Sequence, residues 1–324
     1  MKMSGLRAGF SWLFWNAHER RLRLLPRLAL GMMLIVLLYL LLSWVANRVL
    51  SDAVGRLWGV PGWVAVQGLS QFLAIFLGIL LAVRLLDRRP LVALGFHFGR
   101  GWWPDLAFGL TLGALLMAGI FLAEWVAGWV TITGILTTGP NSPSFPPAFA
   151  GAVVLFICVG FYEELFARGY ILRNLAEGLC FRPLRARGGV VLAWLLSSLA
   201  FSLAHLGNPH ASLASTANLI LAGLFLGLGY VLTGELAIPI GLHITWNLFQ
   251  GNVFGFPVSG TALGPRLIAT AQHGPEVWTG GPFGPEAGLV GTLAMCLGSL
   301  VILAWVRWRY GRIALQAQLA QRAR

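Results

Sequence analysis

The sequence predicts an all-α polytopic membrane protein, a bundle of about eight transmembrane helices, and three observations carry that reading. Of 324 residues, 57% are hydrophobic and only 10% charged, whereas soluble domains carry about a quarter charged residues. The mean hydropathy is +0.77. Apolar runs of about 20 residues, the length that crosses a bilayer, recur at 28–46, 63–86, 106–128, 148–168, 190–206, 212–233, 236–254 and 288–306.

Taken in order, the chain opens on a basic segment, 1–27, that resembles the n-region of a signal peptide. The apolar run after it is longer than an ordinary h-region and lacks a small-x-small cleavage site, so it reads as a retained first span. A single membrane domain, 28–306, follows, and a basic tail, 307–324, closes the chain. Gly109 and Gly113 in the third run, and Gly223 and Gly227 in the sixth, have the spacing that lets helix backbones approach. Pro183, Gly188-Gly189 and Asn208-Pro209 mark breaks around the fifth run. Residues 256–287, rich in Gly and Pro, read as an irregular external loop or a lid. No internal repeat is evident, which weighs against inverted-repeat transporters.

The net charge of +12 is a topology signal rather than a nucleic-acid footprint, because the basic residues cluster between apolar runs. Lys2, Arg7, Arg20, Arg21, Arg23 and Arg27 precede the first run. Arg88, Arg89 and Arg100 follow the second, and Arg173, Arg182, Arg185 and Arg187 follow the fourth. Arg307, Arg309, Arg312, Arg322 and Arg324 end the chain. With eight spans all of these fall on one side, while 129–147 carries no charge and 207–211 only His210. Both termini are therefore expected in the cytoplasm, with the protein integral to a bacterial inner membrane. Cys158, Cys180 and Cys296 are too scattered for a metal site or a disulfide framework.

Of eleven acidic residues, nine fall in connections or near span ends, and Glu163 and Glu164 in FYEELFAR are the candidates for deep burial. An ionisable group at membrane depth costs about 2.5–3.5 kcal/mol on insertion scales and marks function by default. Glu164 and Arg168, four apart with the acid first, pair on one helix face. Glu163 points about 100° away and is left as a free carboxylate, the group a general base requires. An inert ion cluster is the structural alternative. His205 follows Phe201 by four residues, and His243 precedes Asn247 by four, so the last two share a face. Either histidine alone could serve as a helix-bridging hydrogen bonder. Together, a free acid, two imidazoles and an amide supply a base, a held water and oxyanion donors. Ser197, Ser198 and Ser202 near His205 leave a serine–histidine pair open, although such serines usually bond their own backbone. His18, His97 and His273 lie in connections and read as solvated. HExxH, GxSxG, Walker and GxGxxG motifs are absent.

Glu163-Glu164-x-x-x-Arg168, Phe201-x-x-x-His205 and His243-x-x-x-Asn247 resemble the three motifs of the CAAX protease and bacteriocin-processing family. These are intramembrane proteases related to the type II CAAX prenyl endopeptidase. The resemblance covers about 148–254. It implies an endopeptidase acting on membrane-anchored, lipidated or amphipathic substrates. Glu163 would activate water, Glu164 and Arg168 would orient and tune, His205 would position the water, and His243 and Asn247 would bind the oxyanion. Zinc is compatible with two histidines and Glu163 but not required. A non-catalytic family member acting in immunity or as a scaffold is the runner-up, and a proton-coupled transporter is the third reading. One tension concerns depth: a straight fifth span from Val190 puts His205 about 20 Å from the cytoplasmic side, deeper than Glu163 or His243. An irregular or tilted fifth helix is the expectation.

Overall fold

The computed structural model describes residues 14–17, 19–139, 144–181, 184–262 and 264–321. Lys2, Arg7, His18, Arg182, Pro183, Arg322 and Arg324 lie outside the described residues. The chain is helical for most of its length: α1 (Leu24–Val45), α2 (Ser51–Ala82), α3 (Trp102–Val126), α4 (Phe145–Glu164), α5 (Arg185–Leu203), α6 (Leu213–Thr233), α7 (Ala237–Leu248) and α8 (Leu289–Tyr310). Among the described residues, seven helices are long and apolar enough to cross a membrane. This is an integral membrane protein. The eighth expected span is α7, prolonged by a π-helical turn, Phe249–Val253. Helix α7 is shorter than the others, and protein covers its whole circumference over its first two turns, every residue from Ala237 to His243 being buried.

Small residues explain how α7 comes to the centre. A Cβ on Gly109 would strike the Ile238 carbonyl oxygen and come within 2.9 Å of the Leu242 amide, and one on Gly113 would meet the Leu242 carbonyl. The first GxxxG pair therefore seats α3 directly on α7. The second seats α6 on α5, through Gly223 against Ser198 and Gly227 against the Trp194 indole. Helix α4 meets α7 where Gly160 faces Ile244, at 2.6 Å from a would-be Cβ. Helices α1 and α2 form an outer antiparallel pair that docks on α4 through α2.

Both described chain ends return to one end of the bundle. There Arg27 pairs with Asp87 (3.0 Å), Arg89 with Glu177 (2.7 Å) and Arg21 with Glu177 (3.1 Å). Arg173 donates to the Gln321 carbonyl, and Arg309 pairs with Asp105. Asp87, Asp105, Glu124 and Glu286 are as buried as Glu164. The expectation that only the two central acids lie deep is thus corrected: the others sit near helix ends, each covered by its own partners.

At the opposite end the segment expected to be irregular carries a strand. β1 (Val130–Thr137) pairs antiparallel with β2 (Arg266–Gln272), Val130 opposite Gln272 and Thr137 opposite Arg266. β1, read VTITGILT, is rich in the β-branched residues that fit a pleated surface. Its partner lies far away in sequence, so no local turn signal announces the pairing.

Candidate active site

The two adjacent acids lie one turn beyond Gly160, where α4 runs closest to α7 and therefore to His243. Glu164 is fully buried. It accepts one hydrogen bond from Arg168 (Nη1–Oε1 2.8 Å) and lies 2.8 Å from His243 Nδ1. The sequence-predicted pair is present, but Glu164 also joins the histidine helix, which single-sequence spacing did not reveal. Arg168 is itself buried. Its second terminal nitrogen donates to the Gly223 carbonyl at 2.9 Å, and its guanidinium lies 4.7 Å from the centre of the Phe201 ring. Immediately after Glu164 the helix widens into a π segment, Leu165–Leu172, and α7 does the same one residue after its own motif ends. Such widened turns recur at functional sites.

Glu163 points the other way, as its 100° offset requires. Its side chain is 23% exposed into a cavity of about 370 Å³, and its Oε2 lies 3.8 Å from His243 Nε2. The carboxylate expected to be uncompensated therefore faces an imidazole, just beyond direct hydrogen-bond distance. His205 and Asn247 line the same cavity. A second cavity of about 340 Å³ shares Glu163, Phe201, His205 and Asn208 with the first. The Phe201 ring stands between the histidines, 4.8 Å from His205 and 6.2 Å from His243, centre to centre. His205 Nδ1 bonds the Phe201 carbonyl at 2.8 Å. A carbonyl only accepts, so Nδ1 carries a proton there and Nε2 is the free ring nitrogen. All six sequence-predicted residues thus gather around one site.

The depth tension resolves in α4 rather than α5. Helix α5 is regular, and the fourth span continues to Gly178, 34 residues in all. Along the helix, Glu163 lies about 22 Å from Gly178, and His205 about 30 Å from Arg185, at 1.5 Å per residue. The irregularity expected in the fifth helix is instead the π segment of α4 and the turns of 204–212.

Ser197 and Ser198 bond the Trp194 carbonyl and Ser202 the Thr216 carbonyl, so none is paired with His205. His97 pairs with Glu235, and His273 bonds Thr131. Among the described residues, no group of three His, Cys, Asp or Glu side chains converges closely enough to hold a metal ion. The residue that sequence reading missed is Glu286. It lines the cavity at its far end, accepting from the Ser259 amide (2.5 Å) and from Gln250. Burial pushes its carboxyl up to about 7, against the pull of those hydrogen bonds. The only sequence signal was the density of glycines around it. Gly284 adopts φ +120°, and a Cβ there would strike the Pro257 carbonyl.

A buried acid–arginine–histidine chain beside a second, accessible acid thus lies against a cavity among the helices of a polytopic membrane protein. Residues 145–249 match the family model described as Type II CAAX prenyl endopeptidase Rce1-like. This stretch, about a third of the chain, holds all three motifs, and the match supports an assignment to the CAAX protease family. Comparison with curated proteins and with solved structures returned no match.

Proposed function

We propose that the protein hydrolyses a peptide bond in membrane-associated substrates, lipidated CAAX-type proteins or peptides among them, using a water activated by Glu163. The observation that carries this reading is the 3.8 Å separation of Glu163 Oε2 and His243 Nε2, with His243 held from behind by Glu164. In the reacting state His243 carries a proton on each ring nitrogen and is a donor at both.

In that state His243 donates through Nδ1 to Glu164 and through Nε2 into the cavity. Glu163 takes a proton from the bound water, whose oxygen attacks the substrate carbonyl carbon. The carbonyl π electrons move onto oxygen, and His243 Nε2–H with the Asn247 carboxamide stabilises that oxyanion. As the tetrahedral intermediate collapses, the C–N bond breaks and Glu163 returns its proton to the leaving nitrogen. His205 holds the water through Nε2, and Arg168 holds Glu164 in place. The bundle end bearing Arg21, Arg27, Arg89 and Arg309 faces the cytoplasm of a bacterial inner membrane, following the positive-inside rule.

The test is a cleavage assay in membranes comparing wild type with Glu163→Ala, Glu164→Ala and His243→Ala. Loss of the base should cost on the order of 10²–10⁴-fold; undiminished cleavage in Glu163→Ala refutes the assignment. A chelator series on the same assay reads metal dependence. A non-catalytic member would bind such peptides without releasing product.

A further inference from the structure

We infer that Gln71, on α2 and outside the stretch that matches the family, binds the main chain of the substrate beside the scissile bond. This rests on the endopeptidase reading above. Most of the polar side chains lining the two cavities are already engaged. Glu163 faces His243, His205 bonds the Phe201 carbonyl, Asn208 donates to the Ser259 carbonyl, Glu286 holds Ser259, and Gln67 donates to Asn47. Among the described residues, the carboxamides of Gln71 and Asn247 have no hydrogen-bond partner. Gln71 belongs to both cavities, so it stands where they adjoin, together with Glu163 and His205.

The packing of α2 fixes it there. Gly68 lets the helix approach α4, a Cβ at that position falling 2.7 Å from Leu155 Cδ1. Phe72 and Phe76 then lock onto Phe161, at 5.4 and 6.5 Å between ring centres. With that face docked, the stripe Trp63, Gln67, Gln71 and Ile75, four residues apart, is turned to the cavities.

A carboxamide in an apolar wall is costly unless something satisfies it. A peptide entering the site has the complementary problem, because each residue flanking the scissile bond loses water from one N–H and one C=O. One Gln side chain offers both an acceptor and donors. It therefore matches an extended peptide backbone whatever the substrate's side chains, a tolerance that a charged residue would not give.

The test uses the full chain reconstituted in liposomes, with a panel of lipidated CAAX-type peptides and the same peptides carrying one backbone amide at a time replaced by an ester. Gln71→Met should lower kcat/KM about tenfold, chiefly through KM. In wild type an ester at one position should cost a similar factor, and in Gln71→Met that same ester should cost less than about twofold, since its partner is already gone. If Gln71→Met does not fold, Gln71→Asn, with the same chemistry one methylene shorter, should abolish the ester effect in the same way. Cleavage that depends on Glu163 yet is indifferent to Gln71, or an ester penalty unchanged in the variant, overturns this inference alone. Absence of Glu163-dependent cleavage across the whole panel counts against the endopeptidase reading, and the inference falls with it.

Discussion

Exchanging each of the adjacent acids for glutamine should separate their roles. Glu164 is fully buried and accepts from a guanidinium that is only 1% exposed. Glu164→Gln leaves Arg168 with the Gly223 carbonyl and the Phe201 face, an uncompensated buried charge of the kind that costs about 3–5 kcal/mol. The lost charge-assisted bond to His243 overlaps with that cost rather than adding to it. About 4 kcal/mol corresponds to roughly a thousandfold shift in the folded-to-unfolded ratio. Glu163, partly exposed and making one contact at 3.8 Å, should cost less than about 1 kcal/mol when changed to Gln. Cleavage should fall at least about a hundredfold in both variants, for want of a base in one and of an oriented His243 in the other. Denaturant titration in mixed micelles reads the stability, and peptide cleavage reads the activity. The double variant Glu164→Leu/Arg168→Leu should recover most of the stability, because apolar replacement of a buried ion pair is near neutral, while remaining inactive. Equal destabilisation at the two positions, or a stable Glu164→Gln, would refute the division of roles.

Other perturbations bear on the frame around the site. The Glu286 carboxyl sits near 7 rather than its ordinary 4.5, so the folded state holds a proton that the unfolded state has lost. Its favourable contribution is full below about pH 4.5 and is lost as pH rises through about 7, by up to about 3 kcal/mol. Unfolding midpoints of wild type and Glu286→Gln measured from pH 5 to 8 should diverge in that direction. Gly109→Leu should cost about 1–3 kcal/mol or prevent folding by forcing α3 off α7. Gly119→Leu, with nothing within 4 Å of its would-be Cβ, should be neutral in the same unfolding assay. Asp105→Asn weakens the group that binds Trp305, Tyr310 and Arg309, and should free the end of α8 to faster amide exchange.

The parts legible in the sequence are those written in one helix at a time. Apolar run length set the membrane class, the interval of four set the Glu164–Arg168 pair, and GxxxG spacing marked two close helix contacts. Three features depend on partners remote in sequence. The bond from His243 to Glu164 exists because Gly160 meets Ile244, and nothing local in either helix specifies that crossing. Strand β1 is β-prone, yet its pairing with β2 requires α7 to have brought the later segment back over the same end. Glu286 lies among glycines and prolines that read as a loop, and only the folded segment turns its carboxyl toward the cavity. The apolar run ends at residue 168, with Arg173 placed in the connection, whereas the helix continues to Gly178 because Arg173 and Glu177 are sequestered by the chain's own opposite charges.

That last feature bears on how the protein sits in lipid of varying thickness. A 34-residue helix measures about 50 Å, against a hydrocarbon layer of about 30 Å, so part of α4 extends past the acyl chains. Its terminal turns are clasped by Arg21, Arg27, Arg89 and Asp87, an ionic collar around the end of the helix. The collar fixes the level of Glu163 relative to the charged end of the helix. In a thinner or thicker bilayer the water boundary moves along the collar while the carboxylate keeps its level relative to its protein neighbours.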